Sequence, residues 1–369
     1  MSVTEFSYPN PARAVLDLIR PYEPGKPIEE VQREYGLTEV IKLASNENPL
    51  GPSPKAVRAM LEIVSGLNRY PDSHGYYLKT KLADRLGLSR EWIVLGNGST
   101  EIVEQICEAF LDPGDEAITG KEMFFKYPIA IRFMNAEPIL VPLVDYKLNV
   151  QHVLEKVTSR TKVIFIANPN NPTGTLIGRA ELDEFMEKAP PGVVVVIDEA
   201  YHEYLPQECN PQTLRYVKED RNVIILRTFS KIYGLAGLRI GYGIAPPHLI
   251  ASMNKIREAF NTNSIAQHAA CAALDDHEFA AKTISYNETG KKFLAEGLAK
   301  IGITPVPTLT NFFLVPLPMD GREFFERMLR RGVIVRPLSG YGLTKAVRVT
   351  IGLPDENQKF LSATEEILL

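Results

Sequence analysis

Four short polar segments follow strongly apolar runs in this sequence, and together they contain residues that can do chemistry. Asn171 lies in NPNNPTG after VIFIA, Asp198 and Tyr201 lie in DEAY after VVVVI, and Lys231 lies in TFSK after VIILR. The fourth segment, NGST, follows WIVLG. Ligands of open parallel sheets bind at the carboxyl ends of the strands, so we expect the four segments to meet in one pocket.

A lysine, an aspartate, an asparagine and a tyrosine in one pocket suit the chemistry of pyridoxal 5′-phosphate. The amine of Lys231 can form a Schiff base with the cofactor aldehyde, and the ring then accepts electrons from the α-carbon of the substrate. Asp198 is predicted to pair with the pyridine nitrogen, because an adjacent carboxylate favours its protonated form. Asn171 and Tyr201 are predicted to hydrogen-bond the phenolic oxygen of the ring.

The phosphate group of this cofactor needs backbone N–H donors, hydroxyl groups and a positive charge. In GNGSTEIVEQICEAF, a glycine-rich turn precedes an amphipathic helix, so the amides of Ser99 and Thr100 are expected at a helix N-terminus. The hydroxyls of Thr228 and Ser230 and the guanidinium of Arg239 complete the predicted cradle.

Each of these residues also has an ordinary structural explanation. Lys231 could be a surface cation at the end of a strand, Asp198 could cap a turn, and Tyr201 and Tyr70 could be half-buried aromatic residues. A dinucleotide site at GNGSTE is disfavoured, because Glu101 replaces the third glycine of the fingerprint. The joint presence and order of the polar segments favour the pyridoxal 5′-phosphate site.

The elements that must position these residues alternate between strands and helices. Apolar runs without alternation are typical of strands covered on both faces, which predicts an α/β fold with a mostly parallel central sheet. The predicted strands include EPILVPL, KVIFIANP, VVVVIDEAY and NVIILRTFSK. After about residue 265 the helices SIAQHAACAAL and NETGKKFLAEGLAKI and the strands TNFFLVPL, GVIVRPL and AVRVTIG predict a smaller α+β domain.

These patterns predict three parts of the chain. Residues 1–44 are expected to form an N-terminal arm that belongs to the small domain, because they are rich in proline and charge. Residues 45–265 are expected to form the large cofactor-binding domain, and residues 266–369 the small C-terminal domain.

The ordered motifs NPNNPTG, DEAY, SKIYGLAGLRIGY and VRVTIG resemble the class I and II aminotransferases of the aspartate aminotransferase fold. The segments KLASNENPLGPSP and NRYPD narrow the resemblance to the histidinol-phosphate aminotransferases, from Tyr22 to Arg348. This resemblance implies fold type I of the pyridoxal 5′-phosphate enzymes and assigns Lys231 as the residue that holds the cofactor covalently. It also implies a homodimer in which Tyr70 reaches the cofactor phosphate of the partner subunit.

One segment departs from the family pattern. Relatives often carry a proline, a variable residue and an aromatic residue whose ring stacks on the cofactor, whereas this chain has EMFFKY at residues 122–127. Phe124 is our candidate for the stacking ring, and its neighbour Phe125 is the alternative.

The substrates are expected to be histidinol phosphate and the glutamate and 2-oxoglutarate pair. The planar fork of arginine suits phosphate and carboxylate groups, so Arg336 and Arg348 are predicted to bind the substrate anion; an ordinary edge-strand cation is the alternative for Arg348. Tyr22 and Asn46 are further substrate-binding candidates. Aromatic amino acid aminotransferases and threonine-phosphate decarboxylases share the cofactor motifs and remain alternatives.

The composition excludes several other classes of function. The net charge is −4, and the 45 acidic and 41 basic residues are mixed along the chain, which argues against nucleic-acid and membrane-surface binding. The three cysteines and six histidines show no metal-binding spacing. The N-terminus lacks the apolar core of a signal peptide, so we expect a cytoplasmic protein.

Overall fold

The computed structural model describes residues 11–19, 21 and 25–368. Twelve strands lie in this part of the chain: β1 Ile41–Lys42, β2 Ile93–Gly96, β3 Glu116–Gly120, β4 Glu137–Val141, β5 Thr161–Ala167, β6 Val194–Asp198, β7 Val223–Thr228, β8 Gly241–Ile244, β9 Phe312–Pro316, β10 Val333–Ile334, β11 Arg336–Pro337 and β12 Ala346–Thr350.

Thirteen α-helices lie in the same part of the chain: α1 Ile28–Tyr35, α2 Pro54–Ile63, α3 Tyr76–Leu86, α4 Ser99–Phe110, α5 Lys126–Phe133, α6 Val150–Leu154, α7 Arg179–Lys188, α8 Leu214–Lys218, α9 Pro247–Met253, α10 Ser264–Leu274, α11 His277–Lys300, α12 Gly321–Leu329 and α13 Pro354–Leu368. Short 3₁₀ helices span Ala14–Leu18, Val64–Gly66, Arg90–Trp92, His202–Tyr204, Gln207–Cys209, Ala236–Leu238 and Ser339–Tyr341. None of the helices in the described ranges combines the length and the apolar character that crossing a membrane requires.

Local sequence signals set many helix ends. The side chain of Ser53 accepts a hydrogen bond from the backbone N–H of Ala56, and Pro54 occupies the first turn of α2. The Asn263 side chain caps α10 in the same way. Helix α3 ends at Gly87, whose φ of 62° is the left-handed conformation that terminates many helices.

A seven-stranded sheet, in the order β2-β8-β7-β6-β5-β3-β4, forms the centre of the larger hydrophobic cluster. Strands β7, β6, β5, β3 and β4 run parallel to one another, and β8 runs antiparallel to both β7 and β2. All residues of β6 and β7 are buried, as expected for strands covered on both faces. The predicted mostly parallel α/β sheet is confirmed.

The sequence analysis does not predict strand β8, because its sequence, GYGI, contains two glycines that disfavour a strand. Its glycines are needed for close packing. A Cβ atom on Gly241 would lie 2.5 Å from the backbone nitrogen of Ser99, and one on Gly243 would lie 2.9 Å from the Cγ1 atom of Val94. The absence of a side chain at Gly241 therefore lets the start of α4 approach the sheet.

A second hydrophobic cluster lies between a three-stranded antiparallel sheet, β11-β12-β9, and helices α11, α12 and α13. The predicted strand GVIVRPL divides into two: β10 pairs in parallel with β1, whereas β11 pairs with β12. Helix α10 begins at residue 264, at the predicted boundary, but packs in the first cluster. The division of the chain into three parts stays a prediction.

The segment before residue 45 packs on C-terminal elements. Val31 of α1 and Ala44 pack with Leu329 and Ile334 in a small apolar cluster. The backbone N–H of Leu43 donates to the carbonyl of Ile334 at 2.8 Å, and the Leu43 carbonyl accepts from Thr350 N–H at 2.9 Å. The Leu43 side chain is buried in the second cluster.

We predict that Leu43→Ala lowers the free energy of unfolding by about 2–5 kcal/mol, because a buried leucine leaves a cavity when it is truncated. Leu353→Ala is the matched control, since Leu353 is 39% exposed and its loss should cost much less. Urea denaturation of both variants measures the difference. Equal effects would contradict the docking of this segment.

Candidate active site

The polar segments that follow β2, β5, β6 and β7 surround one cavity of about 250 Å³. Strands β5, β6 and β7 are parallel neighbours, so their carboxyl ends open onto the same edge of the sheet. Ten of the predicted site residues line the cavity: Ser99, Thr100, Phe124, Asn171, Asp198, Tyr201, Thr228, Ser230, Lys231 and Arg239. Asn46, Tyr70, Arg336 and Arg348 do not line it, and Tyr22 lies outside the described residues.

Lys231 lies three residues beyond the end of β7, in a turn that is closed by Gly234. Gly234 has φ of 69°, and a Cβ atom there would lie 2.0 Å from the carbonyl oxygen of Gly51, so the turn requires glycine. The Nζ atom of Lys231 donates to the carbonyl oxygen of Ser45 at 3.3 Å. Burial, and secondarily the positive charge of Arg348, lower the pKa of Lys231 to about 8. The amine is therefore far easier to deprotonate than a surface lysine.

Asp198 is the last residue of β6, in the middle of the sheet, and is 7% exposed. Burial raises the pKa of Asp198 to about 6, although hydrogen bonds to its carboxylate oppose this rise. The Tyr127 hydroxyl donates to Asp198 Oδ2 at 2.8 Å, and the backbone N–H of Ala200 donates to Oδ1 at 3.1 Å. The carboxylate that faces the cavity is thus held by two donors from the protein.

Tyr201 and Asn171 lie on the cavity wall, and each is oriented by a neighbour. The Asn46 side-chain amide donates to the Tyr201 hydroxyl at 2.9 Å, and burial raises the pKa of Tyr201 to about 12. Arg348 Nη1 donates to Asn171 Oδ1 at 2.6 Å. Asn46, predicted to bind substrate, therefore contacts Tyr201 and lies behind the cavity wall.

The predicted phosphate cradle lies at the N-terminus of α4. Gly98 precedes this helix with φ of 80° and offers no side chain to cap it. A Cβ atom at Gly98 would lie 2.3 Å from Arg239 Nη2, so glycine is needed for the guanidinium to approach. Within the described ranges, the hydrogen bonds of the Arg239 guanidinium go to neutral oxygens, at 3.3–3.5 Å, and it forms no ion pair with a carboxylate. The cradle thus combines backbone donors and a positive charge that no carboxylate neutralises.

The two candidate stacking rings occupy different positions. Phe124 lines the cavity, and Phe125 packs edge-on against it with ring centroids 4.9 Å apart at 71°. This placement favours Phe124 as the ring that would stack on a bound cofactor.

The two predicted substrate arginines lie directly opposite each other on neighbouring strands. Arg336 in β11 is the antiparallel partner of Arg348 in β12, and opposed residues project from the same face of a sheet. Strand β12 is the middle strand of its sheet, so the alternative of Arg348 as an edge-strand cation is wrong. Arg348 is 7% exposed, and its Nη2 also donates to the carbonyl oxygen of Ala44 at 2.6 Å.

Tyr70 lies outside the cavity of its own chain. Its side chain is 82% exposed and stacks on Phe260, with centroids 4.7 Å apart. Such a large exposed aromatic pair is typical of a surface that contacts another molecule.

Sequence reasoning missed Tyr127, although EMFFKY contains it. Its hydroxyl contacts Asp198 across 71 residues of sequence, and no local pattern reports such a contact. An aromatic residue three positions after Phe124 on the first turn of α5 was the available signal.

Comparison with known proteins identifies the family. A family model described as aminotransferase class I and II matches residues 38–363. A histidinol-phosphate aminotransferase from Moorella thermoacetica is 47% identical over 361 residues, which cover 98% of this chain and 93% of that protein.

Two solved structures agree with this similarity. The histidinol-phosphate aminotransferase of Sinorhizobium meliloti in complex with pyridoxal 5′-phosphate superposes with a TM-score of 0.89 at 26% identity, and 98% of each chain is covered. The aspartate aminotransferase of Thermus thermophilus with maleate has a TM-score of 0.84 at 21% identity, covers 97% of this chain and 100% of its own, and shows the shared fold.

The residues on this cavity fit pyridoxal 5′-phosphate. A lysine with a lowered pKa, a buried carboxylate held by two donors, and a glycine-lined cradle beside an arginine are the groups that this cofactor needs for its aldehyde, ring nitrogen and phosphate. The chain belongs to the class I and II aminotransferases of fold type I, which use pyridoxal 5′-phosphate, and within them to the histidinol-phosphate aminotransferases.

Proposed function

We propose that this chain transfers the amino group of L-histidinol phosphate to 2-oxoglutarate, giving imidazole acetol phosphate and L-glutamate in histidine biosynthesis. The observation that carries the proposal is the opposed pair Arg336 and Arg348 beside a cavity that fits pyridoxal 5′-phosphate. The similarity to named histidinol-phosphate aminotransferases over nearly the whole chain supports it.

When bound, pyridoxal 5′-phosphate withdraws electrons from the substrate carbon that carries the amine. Lys231 Nζ is the covalent attachment point and, once released, the base that takes the proton from that carbon. A pKa near 8 suits this role, because a base works best when its pKa lies near the operating pH. Asp198 holds a negative charge toward the ring nitrogen, and Asn171 and Tyr201 present polar atoms for the phenolic oxygen.

The substrate assignment depends on the anionic group that lies at the opposite end of the substrate from its amine. Histidinol phosphate has no α-carboxylate but carries a phosphate dianion, which two opposed arginine forks match better than one. Glutamate carries two carboxylates, so the same two arginines can bind one each. A single pair of side chains therefore serves both half-reactions.

We propose that the enzyme is a homodimer in which Tyr70 completes the phosphate cradle of the partner subunit. The 82% exposure of Tyr70 and its absence from the cavity of its own chain support this arrangement. We also propose a cytoplasmic location, which the free state of Cys107, Cys209 and Cys271 supports.

Alanine substitution of either arginine should lower kcat/KM for histidinol phosphate at least about tenfold, because charge-assisted hydrogen bonds are worth roughly 1.5–3 kcal/mol. Phenylalanine, with one carboxylate and an uncharged ring, should depend on Arg348 and be nearly indifferent to Arg336→Ala. Side-by-side kinetics with both substrates measure the pattern.

Arg322→Ala, on the exposed face of α12, is the matched control and should leave both activities unchanged. If the unmodified enzyme prefers phenylalanine, the aromatic aminotransferase assignment replaces ours. Release of carbon dioxide from threonine phosphate would instead favour the decarboxylase.

Asp198→Asn should slow exchange of the substrate α-proton on the order of a hundredfold or more, because the variant loses a charge that stabilises the protonated ring nitrogen. The pKa of about 6 also predicts that the unmodified chain binds the cofactor more weakly as pH falls through 6, since the folded-state carboxylate is ionised only above that value. The Asp198→Asn variant should bind the cofactor weakly at all pH values. It should therefore not show this loss of binding as pH falls through 6, which we call the acid limit.

Cofactor titrations between pH 5 and pH 8, together with deuterium exchange into the substrate, measure both effects. Asp112→Asn, an exposed aspartate, is the control. An unchanged exchange rate in Asp198→Asn would remove Asp198 from its assigned role.

The shared-site proposal predicts complementation between two inactive chains. Lys231→Ala lacks the base, and Tyr70→Ala lacks the residue that each subunit lends to its partner. Mixed dimers should regain about one competent site each, because one of their two sites receives both an intact Lys231 and an intact Tyr70. Activity of the exchanged mixture, normalised to mixed-dimer content, is the measurement, and no recovery after verified subunit exchange would exclude sharing.

A further inference from the structure

Packing of the Tyr127 ring fixes the orientation of its hydroxyl group. The residue is fully buried in the first turn of α5, and its ring stacks on Phe165 with centroids 4.8 Å apart at an interplanar angle of 12°. Phe124 contacts the same ring edge-on, with centroids 5.5 Å apart at 82°. Packing on both sides therefore leaves the hydroxyl fixed 2.8 Å from Asp198 Oδ2.

Tyr127 is the proton donor in this hydrogen bond. Burial and the negative charge of Asp198 hold the pKa of Tyr127 well above its usual value, so the hydroxyl stays protonated and donates. The charged neighbours of Asp198 act in opposite directions, because Glu199 disfavours its ionisation and Lys231 favours it. Besides the N–H of Ala200, the Tyr127 hydroxyl is the donor that opposes the effect of burial on this carboxylate.

We propose that Tyr127 is a positioning residue that keeps the Asp198 carboxylate ionised and oriented toward the ring nitrogen of the cofactor, while its ring supports Phe124 on the same cavity. The proposal rests on the pyridoxal 5′-phosphate site described above. It assigns Tyr127 a role that acts through Asp198, because the Tyr127 hydroxyl, although it lies on the cavity, donates its hydrogen bond to the Asp198 carboxylate.

The chain contains a matched pair that separates this role from simple structural support. Tyr216 is also buried, at 3% exposure, and its hydroxyl donates to Asp183 Oδ1 at 2.6 Å. Neither Tyr216 nor Asp183 lines the cavity. Tyr127→Phe and Tyr216→Phe thus each remove a tyrosine-to-aspartate hydrogen bond, one at the cofactor site and one away from it, where the Tyr216 hydroxyl also accepts from Arg215 Nη2 at 3.0 Å.

The holoenzymes of both variants should be compared with the unmodified enzyme by two readouts that do not depend on the amine substrate. One is the dissociation constant of pyridoxal 5′-phosphate as a function of pH, and the other is the ¹⁵N chemical shift of ¹⁵N-labelled cofactor, which reports protonation of the ring nitrogen. Turnover is measured alongside them.

We expect Tyr127→Phe to move the acid limit of cofactor binding upward by about one to two pH units, because losing a hydrogen bond to a charged group weakens ionisation roughly ten- to a hundredfold. At pH 7 kcat should fall about two- to tenfold with little change in KM, because raising the pKa of Asp198 from about 6 by one to two units leaves roughly a half to a tenth of the carboxylates ionised. The activity should recover as pH rises. Tyr216→Phe should leave the acid limit, the ¹⁵N shift and kcat unchanged.

Replacing Tyr127 with 3-fluorotyrosine provides a second test. This test can still be done if the Tyr127→Phe variant does not fold. The fluorinated phenol keeps the ring and is a stronger donor, so the acid limit should move downward. An acid limit that stays the same in a folded Tyr127→Phe enzyme, or in the fluorotyrosine enzyme, overturns the proposal. If the unmodified chain binds no pyridoxal 5′-phosphate, the proposed function fails instead.

Discussion

The buried carboxylate of Asp198 is the constraint around which the site is built. It ends a central strand of the seven-stranded sheet, where water is excluded and a charge is costly unless protein groups stabilise it. Tyr127 and the backbone of Ala200 supply the donors. The first turn of α5, where Tyr127 packs against Phe124, and the loop after β6 therefore both contact this one carboxylate.

A second set of contacts joins the cavity to the C-terminal sheet. Arg348 on β12 donates to Asn171 on the cavity wall, and Thr350 on the same strand accepts a hydrogen bond from the backbone N–H of Asn46. Asn46 in turn holds the Tyr201 hydroxyl. Strand β12 thus contacts Asn171 directly and is linked to Tyr201 through Asn46, so a movement of this strand would shift polar atoms on the cavity wall.

The positively charged side chains near the cavity have different neighbours. Arg348 lies near enough to Lys231 to help lower its pKa, while Arg239 faces the phosphate cradle. Behind the sheet edge, Arg227 pairs with the buried Glu199 at 2.8 Å, which satisfies a charge next to Asp198 without drawing on its donors.

The sequence by itself determined the mostly parallel sheet, the positions of β5, β6 and β7, and nine of the ten predicted residues that line the cavity, because these follow from local apolar runs and the polar segments after them. The tenth, Phe124, came from the resemblance to the aminotransferase family. It did not reveal β8, whose glycines look unlike a strand until Ser99 and Val94 are seen against them. Nor did it reveal Tyr127 beside Asp198, Asn46 behind Tyr201, or β12 as a central strand. Only the tertiary structure decided these features, since hydrogen bonds between residues 71 and 155 positions apart, and the order of strands in a sheet, leave no periodic pattern in the chain.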